Sequence, residues 1–113
     1  MFDREKCRGV VEDDRMISDL ENRWFGYREN GKYYLYLIEI AYLLLSGKTI
    51  VLIDRKPVIE PDIFFKEAQS CLEDFFWTKL IVYKDLRDRG RRVKVLDNDK
   101  FLAKDKHGYL RMI

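Results

Sequence analysis

The chain has 113 residues, of which 47% are hydrophobic, 14% aromatic and 37% charged. This composition excludes a disordered chain and fits one domain, or two very small ones that share a core. The longest apolar run, at residues 35–45, is too short to span a membrane and contains Glu39. The first twenty residues carry charges throughout, so we expect no signal peptide.

The net charge of +2 is unevenly distributed. Residues 84–113 contain ten Lys or Arg against five Asp, whereas residues 1–83 have an excess of acidic side chains. A basic segment of this kind can contact RNA phosphates or an acidic partner, or it can remain a solvated surface. The charge pattern by itself leaves these alternatives open.

Two cysteines, Cys7 and Cys71, and a single histidine, His107, are present. Their spacing matches no zinc-binding pattern, so we expect neither a metal nor another cofactor. Unclustered cysteines are typical of a reducing compartment, and we therefore predict a cytoplasmic location.

Periodicity and turn residues predict the elements of the first half. In chain order these are a strand at residues 8–12, a short helix or turn at 16–23 with Ser18 as the candidate cap, antiparallel strands at 25–28 and 32–37, a helix at 38–46, a strand at 49–53 and a helix at 61–70. Asn30-Gly31 predicts the tight turn of the hairpin because both residues tolerate a positive φ. Gly47 is expected to end the second helix, and Pro61 is expected to start the third. Pro57 is expected to end the strand predicted at residues 49–53.

A longer helix and a ribbon of strands are predicted for the second half. We expect a helix at residues 71–89, a strand at 91–96, a turn at 97–99, and a hairpin of residues 100–104 and 109–113 around Lys106-His107-Gly108. Leu72, Phe76, Leu80 and Tyr83 recur on one face of the helix, and Gly90 follows its end. The whole pattern predicts an α+β fold, with a small domain of antiparallel strands and short helices followed by a long helix and a short antiparallel ribbon.

Two stretches of the sequence carry motifs of a known protein family. The first is Trp24-Phe25-Gly26 followed by Leu35-Tyr36-Leu37-Ile38-Glu39-Ile40-Ala41-Tyr42-Leu43-Leu44. It resembles the amino-terminal domain of the archaeal tRNA-intron endonuclease family. The second runs from Val82-Tyr83-Lys84-Asp85-Leu86 through Arg87-Asp88-Arg89-Gly90 to Val93-Lys94-Val95, and it is similar to the start of the family's nuclease domain. The resemblance implies an amino-terminal-like domain at residues 1–70 and a truncated nuclease-like domain at 71–113. It implies structural or interface roles for Phe76, Tyr83, Leu86, Arg87 and Gly90.

The resemblance also implies an activity for the assembly that such chains form. The family cuts precursor tRNA at bulge-helix-bulge intron boundaries, leaving a 2′,3′-cyclic phosphate and a 5′-hydroxyl. This metal-free transfer needs a base, an acid and a cation at the phosphate. The family supplies a tyrosine, a histidine and a lysine for these tasks.

The catalytic set of the family is not matched in this chain. Lys104 occupies the position of the tyrosine, three residues after Phe101, and His107 follows it without the expected intervening loop. The lysine would lie beyond Ile113. We therefore expect no catalytic residues and a noncatalytic, truncated unit. Such a unit would pack against a catalytic endonuclease unit in a dimeric or tetramer-like assembly that acts on precursor tRNA.

Other functions remain open at this point. An RNA-binding module would use Arg91, Arg92, Lys94 and Lys104 on the phosphate backbone, with help from Lys100 and Lys106. The aromatic residues do not form an expected stacking platform, because most fall on predicted buried faces. A protein-interaction domain without RNA contact is another reading, and an active nuclease using His107 is the least favoured.

Overall fold

Short antiparallel strands alternate with short helices in a computed structural model that describes residues 1–97, 100–104 and 110–112. The elements in chain order are β1 (Phe2–Asp3), β2 (Arg8–Val11), α1 (Asp14–Asn22), β3 (Tyr27–Glu29), β4 (Lys32–Tyr36), α2 (Leu37–Leu45), β5 (Val51–Ile53), β6 (Lys56–Val58), α3 (Pro61–Glu67), a short 3-10 helix (Gln69–Cys71), α4 (Phe76–Asp88), β7 (Val93–Asp97), β8 (Lys100–Lys104) and β9 (Leu110–Met112). The predicted α+β class is confirmed.

A four-stranded antiparallel sheet with strand order β1-β2-β4-β3 forms the amino-terminal part. Its hairpin is the predicted one: Asn30 and Gly31 have φ values of 51° and 78°, and Glu29 pairs with Lys32 across the turn. Two consecutive positive φ values give the turn the twist of the flanking strands, which is why Asn-Gly is favoured there. The sheet's inner face, which carries Tyr33 and Leu35, packs into the core.

Helix α1 begins at Asp14 and is capped by Asp13, not by the predicted Ser18. The Asp13 carboxylate accepts a hydrogen bond of 3.0 Å from the amide of Met16. Asp13 is the last extended residue before the helix, so its side chain reaches the unpaired amide groups of the first turn. Ser18 lies one turn too far along the helix for that contact and is exposed.

Helix α2 forms the centre of the core. Each residue from 37 to 44 is buried, and Glu39 is the one charged residue among them. The helix ends as predicted at Gly47, whose φ of 69° continues the chain in the left-handed conformation. A helix with apolar residues all around its axis must be covered on every side, and here the strands, α3 and α4 surround it.

A second hairpin, β5-β6, replaces the predicted end of the strand at Pro57. Val51 pairs with Val58 and Leu52 with Pro57, so Pro57 lies within a strand. The turn residues Asp54 and Arg55 both have positive φ values. Proline is tolerated because, among the described strands, β6 pairs with β5 alone, and the other edge of β6 has no ladder there that would require the missing amide of Pro57.

Helix α4 is shorter than the predicted helix at residues 71–89. It begins at Phe76, because Phe75 takes the left-handed conformation with φ of 65° and Leu72 is extended. The apolar spacing that predicted one helix continues across this break, so periodicity alone did not reveal it. The predicted helix at residues 61–70 is likewise divided into α3 and the 3-10 helix.

Strands β7, β8 and β9 form an antiparallel sheet in that order and pair as predicted. Val93, Val95, Phe101 and Ala103 are buried in the same core cluster as α2 and α4. Asp97 belongs to β7, whereas the remaining turn residues 98 and 99 and the tip of the last hairpin, residues 105–109, lie outside the described residues. The division at residue 70 remains a prediction.

Cys7 and Cys71 form a disulfide, with their Cα atoms 5.5 Å apart. The two unclustered cysteines therefore no longer support a reducing compartment, because they are paired with each other. They are 64 residues apart, and the fold brings the β1-β2 turn against the segment that precedes α4. The sequence separation concealed a contact that depends on tertiary structure.

The cytoplasmic location itself remains a prediction. Within the described part of the chain, no helix has the length and apolar character needed to cross a membrane.

Removal of the disulfide in a Cys7→Ser/Cys71→Ser variant is expected to lower the free energy of unfolding by about 2–4 kcal/mol, because it frees a large loop in the unfolded chain. Denaturant unfolding of the variant and of the parent protein, with and without reductant, measures the effect. Reductant should destabilise the parent alone. Equal unfolding midpoints for parent and variant without reductant would contradict the stabilising role of the disulfide.

Candidate functional site

The loop of residues 23–26 lies where the amino-terminal sheet meets α4 and β7. Trp24 and Gly26 both have positive φ values, of 66° and 76°. A Cβ atom at Gly26 would lie 2.6 Å from the carbonyl oxygen of Tyr34, which is backbone and cannot yield. Only glycine fits at this position, and the left-handed conformation of Trp24 requires support from its surroundings.

Glu39 binds this loop from the side of α2. Its side chain is fully buried; one carboxylate oxygen accepts from the Gly26 amide at 2.8 Å and the other from the Tyr36 amide at 2.8 Å. The second contact caps α2, and the first fixes the loop to the start of the same helix. Burial raises the pKa of Glu39 to about 7, although the two amide donors and the nearby cations Lys94 and Arg87 oppose that shift.

Arg87 binds the loop from the side of α4. Its guanidinium donates to the carbonyl oxygens of Arg23 at 2.6 Å, Trp24 at 3.1 Å and Val93 at 2.6 Å. The guanidinium carbon also lies 3.8 Å from the centre of the Phe25 ring. One planar cation with several donors therefore connects the loop, α4 and β7, which a lysine could not do.

Aromatic side chains surround this cation. Tyr83 is fully buried, and its hydroxyl accepts from Arg87 Nε at 3.1 Å. Its ring contacts Tyr42 of α2 and Phe101 of β8, each at 5.6 Å between ring centres. Burial raises the pKa of the Tyr83 hydroxyl well above its usual range, so the group stays neutral at physiological pH.

Lys94 binds the loop from β7: its ammonium donates to the carbonyl oxygen of Gly26. We call the set of Glu39, Arg87, Lys94 and the loop of residues 23–26 the junction. It brings together the two stretches that carry the sequence motifs. Its chemistry is structural, because charged side chains satisfy backbone groups that would otherwise be buried without partners.

The predicted RNA-binding residues are not gathered in one place that the structure describes. Lys94 uses its ammonium inside the junction, so its contact differs from the predicted one. Arg92 is exposed and Arg91 is half-buried. Lys104 ends β8, but its side chain lies outside the described part of the structure. Binding of RNA by these residues stays a prediction.

The predicted structural residues are distributed along α4 and the turn that follows it. Phe76 and Tyr83 are buried, Leu86 packs at the edge of the core, and Gly90 turns the chain after α4 with φ of 81°. Glu39 lies within the first motif, but no role was predicted for it. The signal was present, because a single carboxylate inside an otherwise apolar helix must have partners when it is buried.

Within residues 1–97, 100–104 and 110–112, no three His, Cys, Asp or Glu side chains converge as metal ligands would. His107, the residue considered for catalysis, lies outside these ranges. The titratable groups with large pKa shifts include Glu39, Tyr33 and Tyr83, and all three are buried in the core.

Comparison with known proteins gives consistent matches. Residues 2–64 match the family model described as tRNA intron endonuclease, N-terminal domain. A tRNA-splicing endonuclease of Thermococcus onnurineus is 44% identical over 88 residues, which are 77% of this chain and 50% of that protein. One of Pyrococcus horikoshii is 45% identical over 82 residues, 72% of this chain and 47% of the relative.

A tRNA-splicing endonuclease of Methanococcoides burtonii is 41% identical over 85 residues, which are 75% of this chain but 24% of that protein. The chain therefore spans about half the length of the Thermococcus and Pyrococcus relatives and a smaller share of this one.

Arg87→Ala is expected to lower the free energy of unfolding by about 2–4 kcal/mol, because three inward-facing carbonyl groups lose their donor. Arg89→Ala is the matched control on the same helix. Arg89 is exposed and pairs with Asp85, so its loss should change stability by less than about 1 kcal/mol. Thermal and denaturant unfolding measure both variants, and similar losses would contradict the role assigned to Arg87.

Glu39 predicts a pH dependence of stability. Its pKa in the folded protein, about 7, lies above the ordinary value of 4.5, so the folded state binds the proton more tightly. The stabilisation is complete below pH 4.5 and is lost as the pH rises to about 7, with a slope of at most ~1.4 kcal/mol per pH unit. Denaturant unfolding between pH 4 and 8 measures this slope.

Glu39→Gln is the control for this slope. It should be less stable, because an amide has one oxygen for two amide donors, and its stability should depend less on pH. An unchanged slope in Glu39→Gln would assign the pH dependence to other groups.

Proposed function

The chain belongs to the tRNA-intron endonuclease family, and on that premise we propose that it is a noncatalytic structural unit of a tRNA-splicing endonuclease. The assembly would cleave precursor tRNA at bulge-helix-bulge intron boundaries and leave 2′,3′-cyclic phosphate and 5′-hydroxyl ends. In this proposal a separate catalytic unit supplies the catalytic side chains, and this chain is a structural subunit of the assembly.

The junction is the observation that carries the proposal. Arg87, Glu39 and Lys94 lie in or beside the family-like motifs, and each uses its charge on the backbone of the loop at residues 23–26. These charged residues therefore stabilise the fold of this chain by bonding its backbone. That use is what we expect of a unit whose task is to keep a defined shape for a partner.

The sequence at the catalytic positions supports the same role. Lys104 stands where the family has its tyrosine, and a lysine ammonium cannot act as the base that the reaction needs unless its pKa is lowered substantially. Tyr33 and Tyr83 do not offer a substitute, because both are buried and their hydroxyls bond to Phe25 and Arg87.

The exposed side of α4 favours an interface with a partner protein. Phe75, Trp77 and Ile81 are exposed to 77%, 51% and 70%. Trp77 and Ile81 are four residues apart and so lie on one side of the helix, and Phe65 braces Trp77 with ring centres 4.7 Å apart. Large apolar side chains that adjoin on a surface favour a protein interface, and we assign this face to the catalytic unit.

Co-expression of this chain with a catalytic family member from the same genome tests the proposal. We expect the two chains to co-purify and to cleave a bulge-helix-bulge RNA, and this chain alone to be inactive. Ile81→Asp should break the association, because it places a charge in the apolar face. Ser18→Asp, an exposed change on α1, should not.

His107→Ala provides the opposing test. In the assembled enzyme it should leave the cleavage rate unchanged. Loss of cleavage in that variant, or cleavage by the isolated chain, would show that the unit is catalytic.

A further inference from the structure

The outer face of the amino-terminal sheet carries tyrosines and an arginine. Tyr27 pairs with Tyr34, and Arg8 pairs with Tyr36, so all four side chains lie on the sheet face opposite the one that carries Tyr33 and Leu35. The Arg8 guanidinium carbon lies 3.7 Å from the centre of the Tyr34 ring. The Tyr27 ring lies 4.7 Å from that of Tyr36 and 5.6 Å from that of Tyr34.

This face is continuous with a cavity of about 400 Å³ between the sheet and α4. The volume falls in the range of small-molecule sites, roughly 300–1,000 Å³. Tyr27 and Tyr36, both half-buried, form the aromatic side of the cavity, and the Cys7–Cys71 disulfide contributes to its wall. The disulfide and the Tyr36 hydroxyl, which donates to the Leu96 carbonyl at 3.2 Å, fix the walls relative to each other.

The charged residues of the cavity are mainly basic. Lys6, Arg8 and Lys79 line it, and among the lining residues that the structure describes Glu73 is the one acidic residue. Arg8 donates to the Tyr27 hydroxyl at 3.1 Å and to Glu29 at 2.6 Å, which fixes the guanidinium beside the rings. Its Nε is buried without a hydrogen-bond partner, so a small rotation would offer a further donor to a ligand. Lys6 is exposed at the rim.

We propose that this cavity binds single-stranded RNA, with a base against Tyr27 and Tyr36 and the adjacent phosphate between Lys6 and Lys79. Aromatic rings beside cations suit nucleotides, since rings stack on bases and ammonium groups attract phosphates. An acidic peptide would use the cations but gain little from the rings. The identity of the RNA rests on the proposed function, in which unpaired nucleotides of a precursor-tRNA bulge would be the ligand.

This site differs from the predicted RNA-binding residues Arg91, Arg92, Lys94 and Lys104. Most of the described aromatic residues are buried as predicted, Phe25 and Tyr33 among them, whereas Tyr27 and Tyr36 are half-buried.

Fluorescence anisotropy with a labelled six-nucleotide single-stranded RNA tests the proposal on the whole chain. Tyr27→Leu, which keeps an apolar side chain but removes the ring, should weaken binding on the order of tenfold. Lys6→Glu should weaken binding. It should also reduce the slope of log affinity against log salt concentration by the amount that corresponds to about one phosphate contact. Lys32→Glu is the matched control: it is an exposed lysine on the same sheet face, ~13 Å along β4 from Tyr36. Binding by Lys32→Glu should equal that of the parent.

Three further measurements separate the alternatives. Melting curves show whether each variant is folded, and Lys6→Glu, at an exposed position, keeps the test valid if Tyr27→Leu unfolds. Competition with adenosine monophosphate distinguishes an RNA strand from a free nucleotide, and displacement at equal affinity would overturn the assignment to a strand. Equal weakening by Lys6→Glu and Lys32→Glu, or competition by an acidic peptide at the same concentration as RNA, would overturn the site.

The RNA-binding measurement and the co-purification test have independent outcomes. If the chain co-purifies with a catalytic unit but the isolated chain shows no RNA binding, the RNA site is wrong and the structural role stands. If it binds RNA through Tyr27 and Lys6 but joins no catalytic unit, the structural role is wrong and the RNA site stands.

Discussion

The contact between the Arg87 guanidinium and the backbone of the loop at residues 23–26 is the constraint on which the arrangement of the two motif-bearing segments depends. The loop contains two left-handed residues, and its Arg23 and Trp24 carbonyl groups turn toward α4, where their hydrogen bonds are partly buried. Arg87 supplies donors for Arg23 and Trp24, and the same cation bonds Val93 of β7. Because one group satisfies carbonyls of two segments, α4 and β7 cannot shift relative to the loop without leaving a buried polar group unpaired.

Glu39 and the disulfide extend this constraint in different ways. Glu39 ties the same loop to α2 with a carboxylate that is costly to bury, so its two amide donors are part of what makes its position tolerable. The disulfide joins the β1-β2 turn to the 3-10 helix and acts on the unfolded chain by closing a long loop. The junction thus specifies geometry, whereas the disulfide mainly restricts the alternatives to the fold.

Local patterns in the sequence predicted much of the fold because their causes are local. The Asn30-Gly31 turn, the end of α2 at Gly47 and the end of α4 at Gly90 each follow from backbone conformations that few residues adopt. The errors occurred where two local signals competed. Periodicity ran through Phe75 although the backbone breaks there, and Ser18 was chosen as a cap although Asp13 stood at the true boundary. Pro57 lies in an edge strand and does not end one, because the amide hydrogen that proline lacks needs no partner there.

The sequence by itself determined the family and the α+β class, because these depend on residue identity and spacing along the chain. Only the tertiary structure decided the pairing of Cys7 with Cys71, the use of Lys94 on the Gly26 carbonyl and the exposure of Tyr27 and Tyr36 beside a basic cavity. Each of these joins residues far apart in the chain, and no local propensity records such a contact. The positive charge for which Lys94 was predicted to bind RNA also makes its ammonium a donor to the Gly26 carbonyl, and only its position in the fold distinguishes the two roles.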